Sequence, residues 1–253
     1  PLKGKKIVVT RPRERSGTLA GRLSKLGADV YEYPCIRTEP IIPCPEMEAA
    51  LNRLGNYTHL VLTSPAGVEA LWGMLEREGK DARALSGVTL AAIGPGTDRE
   101  LRKHGLRADY IPAVYDAAHL GAGLAGMVSG RVLILRAELG SPALTEALER
   151  GKIPYDDIHC YTTAYESEHA AALRALIRED KVDIVTFTSA STVRGFAHSV
   201  GGDLDFSRVL GACIGEQTAA EARRYGIRTR VAAQATMDAL IDIIIKEGNE
   251  TWN

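Results

Sequence analysis

Residues 91–106 read AAIGPGTDRELRKHGL, and residues 212–227 read ACIGEQTAAEARRYGI. Seven of the sixteen aligned positions are identical. In both copies a short apolar run leads into Gly-x-x-Thr and then into a polar helical segment that is closed by glycine. Apolar runs of this length bounded by glycine are typical of buried parallel strands. Each copy therefore predicts a strand, a tight turn and a helix.

The turn in each copy has the features of an anion-binding site. Gly94 and Gly215 let the backbone approach a ligand closely, and Thr97 and Thr218 stand where an N-cap hydroxyl belongs. The amide groups of a first helical turn carry partial positive charge. The threonines either cap their helices alone or also contact a ligand. Glu216 adds a carboxylate to the second copy, where it would compete with an anion.

The duplication extends beyond this stretch. Ser64 follows one predicted strand, and Ser189 follows another 125 positions later. The opening strand ends at Thr10 and Arg11, and a second strand ends at Arg136, again 125 positions after Arg11. Strands and helices alternate along the chain, which predicts doubly wound parallel sheets in two copies of one α/β unit. Ligands bind beyond the carboxyl ends of such strands, so both arginines are candidate ligand contacts, with a surface salt bridge as the alternative. Ser64 and Ser189 either cap the following helices alone or also contact the ligand.

Composition narrows the classes of function. A chain of 253 residues with 45% hydrophobic and 25% charged residues is an ordinary globular protein. The net charge of −1 provides no bulk field for nucleic acid or for a membrane, and no apolar run reaches membrane-spanning length. The four cysteines form no CxxC pair, which favours reduced thiols and a cytoplasmic protein. The histidines show no metal-ligand spacing, and there is no nucleophile elbow.

One motif is misleading. Residues 121–126 read GAGLAG and match the letters of the dinucleotide fingerprint GxGxxG. That fingerprint needs a strand before it and a helix after it, whereas residues 116–120 read as the start of a helix. We therefore interpret these glycines as small residues for close helix packing.

The ordered motifs together resemble those of the uroporphyrinogen-III synthase family. The resemblance covers nearly the whole chain and rests on the following segments: IVVTRP (7–12), LTSPAGVEAL (62–71), AAIGPGTDREL (91–101), RVLILRAELG (131–140), CYTT (160–163), FTSAS (187–191) and CIGEQTAAEA (213–222). No single segment is specific, but their order, spacing and duplication are.

The resemblance implies two flavodoxin-like domains joined by a two-stranded connector. One domain would be discontinuous, from residues 1–35 and 166–253, and the other would span residues 41–158. The connectors would be residues 36–40, within a proline-rich stretch, and residues 159–165, which contain CYTT. Independently of the resemblance, the first stretch reads as a connector because clustered prolines resist helix and sheet interiors. The second reads as an extended segment rich in tyrosine and threonine, which also suits a connector.

The resemblance also implies an activity. The family's substrate is hydroxymethylbilane, a linear tetrapyrrole with eight carboxylates, which is closed with loss of water and inversion of ring D. No metal or cofactor takes part. Tyr161 matches the family's tyrosine that is proposed to assist loss of the hydroxyl, and Thr97 and Thr218 match its cleft-lining threonines. The implied substrate contacts are Thr10, Arg11, Ser64, Gly94, Thr97, Arg136, Ser189, Gly215 and Thr218.

Two alternatives to the cyclising enzyme stay open. The first is a two-domain binding or regulatory module that has kept the fold and lost the chemistry. A nucleotide or sugar-phosphate binder is a weaker alternative, because a P-loop lysine is missing. We expect a monomer. Because the chain opens at Pro1 without methionine, we expect either a trimmed chain or part of a longer fusion. The family resemblance makes another enzyme of tetrapyrrole synthesis the expected fusion or working partner.

Overall fold

The structure, a computed structural model, describes residues 1–201 and 204–249, with the backbone alone for residues 13–16 and 249. Ten strands and ten α-helices are described, together with three short 3₁₀ turns. The strands are β1 (Lys6–Val9), β2 (Asp29–Glu32), β3 (Ile36–Pro40), β4 (His59–Leu62), β5 (Thr89–Ala92), β6 (Val132–Ala137), β7 (Tyr155–Tyr165), β8 (Ile184–Phe187), β9 (Leu210–Cys213) and β10 (Arg228–Val231). The helices are α1 (Arg13–Lys25), α2 (Pro45–Leu51), α3 (Pro65–Arg77), α4 (Pro95–Lys103), α5 (Ala117–Met127), α6 (Ala143–Arg150), α7 (Ala170–Arg178), α8 (Ala190–Val200), α9 (Glu216–Arg224) and α10 (Met237–Asn249).

The chain divides into two compact units. Unit 1 is Pro1–Arg37 with Thr163–Asn253, and unit 2 is Thr38–Thr162. The chain passes from one unit to the other within β3 and again within β7. These bounds differ by two to four residues from those implied by the family resemblance. Residues 202–203 and 250–253 of the implied discontinuous domain lie outside the described part of the chain.

The sheet of unit 1 has five strands in the order β10-β9-β8-β1-β2. All of its described pairings are parallel. Its central strands are fully buried apolar runs, and separate apolar clusters that include helix residues pack with them. Strand order reverses between β1 and β8, which makes the carboxyl ends of these two strands the switch point where such sheets bind ligands.

The sheet of unit 2 has the order β3-β7-β6-β4-β5. Its described pairings among β4, β5, β6 and β7 are also parallel. Two apolar clusters again include strand and helix residues. The corresponding reversal of strand order lies between β6 and β4, so the loops that follow these strands lie at the switch point of unit 2. The predicted fold class, a pair of doubly wound parallel sheets, is confirmed.

The sequence repeat does not coincide with the compact units. Strand β1 corresponds to β6, and β8 corresponds to β4, each 125 positions apart. Unit 1 contains β1 from the first repeat and β8 from the second, whereas unit 2 contains β4 from the first and β6 from the second. Each folded unit is therefore assembled from parts of both repeats.

The duplicated stretch folds as expected, with one correction. It forms β5, a turn and α4 in the first copy, and β9, a turn and α9 in the second. Each helix is followed by a glycine with positive φ, Gly105 at 75° and Gly226 at 77°, the backbone that glycine adopts without strain. The N-caps, however, are Gly94 and Gly215. The prediction that the threonines are the N-caps was wrong.

In unit 2, a single bridge joins Tyr110, which follows α4, to Ala91 of β5. The GAGLAG segment lies within α5, as the packing interpretation requires. A Cβ on Gly121 would lie 2.7 Å from the Cβ of Ala147, so this glycine lets α6 approach α5 closely.

Candidate functional site

Ser64 and Tyr161 form the site's most specific contact. The Ser64 Oγ lies 2.6 Å from the Tyr161 hydroxyl, a short hydrogen bond in which either oxygen can donate. Ser64 is the N-cap of α3, and its Oγ also accepts from the Gly67 N–H at 3.1 Å. The Tyr161 phenol is thus held at the start of a helix, and the structure brings together two of the predicted site residues.

An irregularity in β7 aims Tyr161 at this position. Arg136 pairs with His159, but Ala137 pairs with Tyr161, so Cys160 is an extra residue in β7. Such a bulge shifts the alternation of side chains along a strand. Cys160 and Tyr161 are in consequence both buried, at 1% and 7% exposure, although they are neighbours in a strand.

A groove of about 180 Å³ opens beside Tyr161 in unit 2. One wall is α3, from Ala66 to Arg77, and the other is formed by β3, the residues after it, and Cys160 and Tyr161 of β7. Sequence reasoning missed this groove. Its only sequence signal was the small residues spaced along one face of α3, Ala66, Ala70 and Gly73.

Ser189 occupies the equivalent position in unit 1. It is the N-cap of α8, and it forms a reciprocal capping box with Thr192, each hydroxyl accepting from the other residue's backbone N–H at 3.2 Å. The position that matches Tyr161 is Ile36, 125 residues earlier. Ser189 therefore caps its helix without a phenol at the matching position, and its predicted substrate contact stays a prediction.

The two glycine-capped helices differ from the serine-capped ones. Neither α4 nor α9 has a side-chain cap hydrogen bond, because glycine has no side chain to supply one. Thr97 and Thr218 are N3 residues, 2% and 4% exposed. The first-turn amides of both helices retain the dipole that attracts an anion. Contact with a ligand through these two turns stays a prediction.

The surroundings of the two turns are unequal. Tyr115 lies against Gly94, where an added Cβ would come within 3.1 Å of the Tyr115 Cβ. At Gly215 the nearest atom is the Ala235 Cβ at 4.0 Å, so the turn before α9 has more space. Glu216 of that turn forms an ion pair with Arg223. This pair partly offsets the negative charge of the Glu216 carboxylate, which the sequence analysis expects to compete with an anionic ligand.

Arg136 forms a buried ion pair, and its predicted substrate contact stays a prediction. Its side chain is 8% exposed, and its guanidinium makes two hydrogen bonds to the Asp157 carboxylate, at 2.8 and 2.6 Å. It also donates to the Ser141 carbonyl at 2.6 Å. The surface salt bridge that was the alternative is instead a buried one, which fastens the loop after β6 to β7. Asp157 was missed because nothing in the sequence identifies it as the partner of Arg136.

The two remaining predicted contacts follow β1 in unit 1. Thr10 is fully buried, and its hydroxyl donates to the Thr186 carbonyl at 2.7 Å, which joins β1 to β8. The Arg11 guanidinium lies 3.2 Å from the Met237 sulfur. Thr10 thus joins two strands of the sheet, and ligand contacts by Thr10 and Arg11 stay predictions.

The cysteines are buried free thiols. All four are buried and unpaired by disulfides, and burial raises the pKa of Cys35, Cys160 and Cys213 to about 12. A neutral thiol is a poor nucleophile. Among the residues that the structure describes, no group of three or more histidine, cysteine or acidic side chains has the arrangement of a metal site. The described helices are also too short or too polar to span a membrane.

A family model and several curated proteins that resemble this chain point to one family. The family model described as uroporphyrinogen-III synthase HemD matches residues 17–242. The porphyrin biosynthesis protein HemD of Ruminiclostridium josui is 36% identical over 250 residues, covering 98% of this chain and 49% of that protein. The chain thus spans about half the length of that relative. The uroporphyrinogen-III synthase of Synechococcus elongatus is 29% identical, with 99% of this chain and 98% of the relative covered.

A solved structure has the same fold. A crystal structure of a mutant uroporphyrinogen III synthase from Thermus thermophilus matches with a TM-score of 0.64 and 19% identity, over 96% of this chain and 98% of the other. At this identity the match concerns the fold alone. The family model, by contrast, covers most of the sequence, including the segments that carry Ser64 and Tyr161. The chain therefore belongs to the uroporphyrinogen-III synthase HemD family.

Proposed function

We propose that the chain is a uroporphyrinogen-III synthase. It takes hydroxymethylbilane, removes the terminal hydroxyl as water, and closes the macrocycle with ring D inverted. The observation that carries the proposal is the Ser64–Tyr161 hydrogen bond of 2.6 Å in a chain of this family. It places a phenol, a hydrogen-bond donor, at a helix start and beside a groove.

The reaction sets three physical tasks. The protein must hold the flexible substrate in the conformer in which ring D attacks the electrophile through the carbon that leads to inversion of the ring. This task is control of substrate orientation and entropy. It must help the hydroxyl leave, by proton donation or hydrogen bonding. It must also keep water from the azafulvene that forms. None of these tasks requires a metal or a redox group, so we propose a cofactor-independent lyase.

Tyr161 is suited to the second task. A phenol has an ordinary pKa near 10 and is therefore protonated at neutral pH. When the C–O bond of the hydroxymethyl group breaks, the phenol O–H donates to the departing oxygen, which leaves as water. If Ser64 donates its own O–H to the Tyr161 oxygen, the phenol proton is free for this donation and the developing phenolate is stabilised. The Gly67 N–H donates a hydrogen bond to the Ser64 Oγ and so helps to hold Ser64 in place without transferring a proton.

Substrate carboxylates fit the uncapped helix starts. The first turns of α4 and α9 carry amide dipoles without a side-chain cap, and such turns bind anions. Within unit 1, Arg11, Ser189 and Thr218 are the further proposed carboxylate contacts. Local donors of this kind suffice for a polyacid although the net charge of the chain is only −1.

We further propose that the protein is a cytoplasmic monomer. Buried free thiols are compatible with a reducing compartment. The 49% coverage of the Ruminiclostridium josui relative is compatible with a chain that is fused to, or works with, another enzyme of tetrapyrrole synthesis. No nucleic acid or membrane partner is proposed.

A product-isomer assay tests the function. The purified chain is supplied with hydroxymethylbilane, and the products are oxidised and separated as isomers I and III. An enzyme gives predominantly isomer III, at a rate proportional to protein concentration. The alternative, an inactive binding or regulatory module, leaves the isomer I that forms spontaneously. That result would overturn the proposal.

A further inference from the structure

The groove beside Tyr161 has the size and character of a pocket for one small ring. Its volume of about 180 Å³ slightly exceeds that of an engineered protein cavity of about 150 Å³ that binds benzene. Ile41, Met47 and Met74 line it, and thioether sulfurs make favourable contacts with aromatic rings. The groove therefore offers an apolar slot for a flat aromatic group.

The duplication shows that this slot is particular to unit 2. Ala70 of α3 lines the groove together with Tyr161, and the counterpart of Ala70 in α8 is Gly195, 125 positions later. A Cβ on Gly195 would overlap the carbonyl oxygen of Cys35 and the side chain of Ile36. In unit 1 the helix thus lies directly on the strand segment, with no room for a ring. The gap between helix and strand is therefore closed in unit 1 and open in unit 2, the unit that contains Tyr161.

The two ends of the groove differ in charge. Ser64 and Tyr161 lie at the start of α3, whereas Arg77 lies in its last turn, twelve residues beyond Pro65 and roughly 18 Å along the helix axis. A helical side chain leans toward the N-terminus, so the Arg77 guanidinium reaches back along the groove. Glu69 lines the groove nearer to Tyr161. A carboxylate is therefore repelled at the Tyr161 end and attracted at the Arg77 end.

The geometry points to a subsite for a single pyrrole ring, namely the ring whose hydroxymethyl group is lost. The ring lies between Met47 and Met74, its hydroxymethyl carbon faces Tyr161, and one of its side-chain carboxylates meets Arg77. Glu69 then lies at the end where positive charge develops as the C–O bond breaks and the hydroxyl leaves as water. This assignment rests on the proposed function, but it concerns a site that is tested without turnover.

Methionine methyl groups provide the direct test. The chain has four methionines, of which Met47 and Met74 line the groove, while Met127 and Met237 lie on α5 and at the start of α10. The protein is labelled at its methionine methyl carbons and titrated with a stable monopyrrole that carries one acetate and one propionate. We expect saturable shifts of the Met47 and Met74 resonances, with Met127 unchanged; Met237 lies against a proposed carboxylate contact and is not used as a control. Arg77→Gln should weaken this binding three- to tenfold. A shift of the Met127 resonance, no shift of Met47 and Met74, or equal affinity in Arg77→Gln would overturn the subsite.

A variant that fills the groove gives an independent test. Gly73 lines the groove, and a Cβ there meets no atom within 4 Å. Gly73→Leu should therefore fold at least as stably as the parent, because leucine is a better helix former than glycine. It should lower kcat/KM at least tenfold and abolish the methyl shifts. Gly21→Leu is the matched control, since Gly21 is within α1 and also has open space around it.

The outcomes separate the subsite from the proposed function. If the parent makes isomer III and Gly73→Leu retains the parent's kcat/KM, the subsite is refuted and the function stands. If the parent makes no isomer III but the monopyrrole shifts Met47 and Met74 selectively, the function is refuted and the ring site stands.

Discussion

Replacement of Ser64 by alanine tests how the site is built, because Ser64 makes two separable hydrogen bonds. Loss of the cap to the Gly67 N–H costs about 1 kcal/mol of stability. Loss of the bond to Tyr161 costs about 1 kcal/mol more. Ser64→Ala should therefore destabilise unit 2 by about 2 kcal/mol. Turnover should fall about tenfold, because the phenol loses the partner that orients it.

A control in the same unit separates the two terms. Asp116 is the N-cap of α5 and accepts from the His119 N–H at 2.8 Å. Asp116→Ala should cost about 1 kcal/mol, with turnover unchanged. Unfolding in urea is followed by the fluorescence of Trp72 in α3, in a background in which Trp252, the only other tryptophan, is replaced by phenylalanine. Trp72 then reports on unit 2 alone.

A double-mutant cycle with Tyr161→Phe measures the coupling. In the Tyr161→Phe background, Ser64→Ala should cost only the cap energy, so the coupling free energy should be about 1 kcal/mol. Ser64→Ala should also have no further effect on turnover in that background. Additive losses in stability and in turnover would refute the reasoning, because the two hydroxyls would then act independently.

Three further predictions follow from other parts of the structure. Arg136→Met should destabilise unit 2 by about 3 kcal/mol in urea unfolding, because it removes the guanidinium that pairs with the largely buried Asp157 carboxylate. Arg131→Met is the control: its pair with Asp156 is over 40% exposed on both sides, so it should cost less than about 1 kcal/mol. Equal losses in the two variants would contradict the burial argument. The thiols of Cys35, Cys160 and Cys213 should resist iodoacetamide at pH 8 in the folded protein and react in urea, because burial raises their pKa to about 12. Their contribution to stability is present below the unfolded pKa near 8.5 and is lost as pH rises toward 12. Fast labelling of the folded chain would contradict the raised pKa. Glu216→Gln should lower KM two- to fivefold, because it removes a carboxylate that repels the substrate from the start of α9. The control Glu179→Gln, at the exposed end of α7, should leave KM unchanged. An unchanged KM for Glu216→Gln would argue against carboxylate binding at the start of α9.

The fold was predictable because the chain repeats itself. The apolar runs before Gly94 and Gly215 and the helices that end before Gly105 and Gly226 lie where the pattern indicated. The exchange of segments between repeats was not visible in the residues, because the repeat specifies which elements exist and not which copies pair. The family resemblance supplied the discontinuous domain.

The site was predictable only in part. Ser64 and Tyr161 were both predicted, but their hydrogen bond depends on the bulge at Cys160, and a one-residue irregularity in a strand leaves no reliable trace in the sequence. The helix caps were assigned to threonines because hydroxyls cap well, yet glycine also caps and here occupies the position. Arg136 was predicted from its place at the end of a strand, while its role depends on Asp157, 21 positions away.

The most direct test of the account is the turnover of Tyr161→Phe, measured together with its product isomers. The substitution removes one oxygen from a buried side chain and leaves the ring in place. We expect turnover to fall by roughly ten- to a thousandfold, so that spontaneous isomer I becomes a large part of the product. Full turnover with full yield of isomer III would contradict the claim that the Tyr161 phenol assists departure of the hydroxyl.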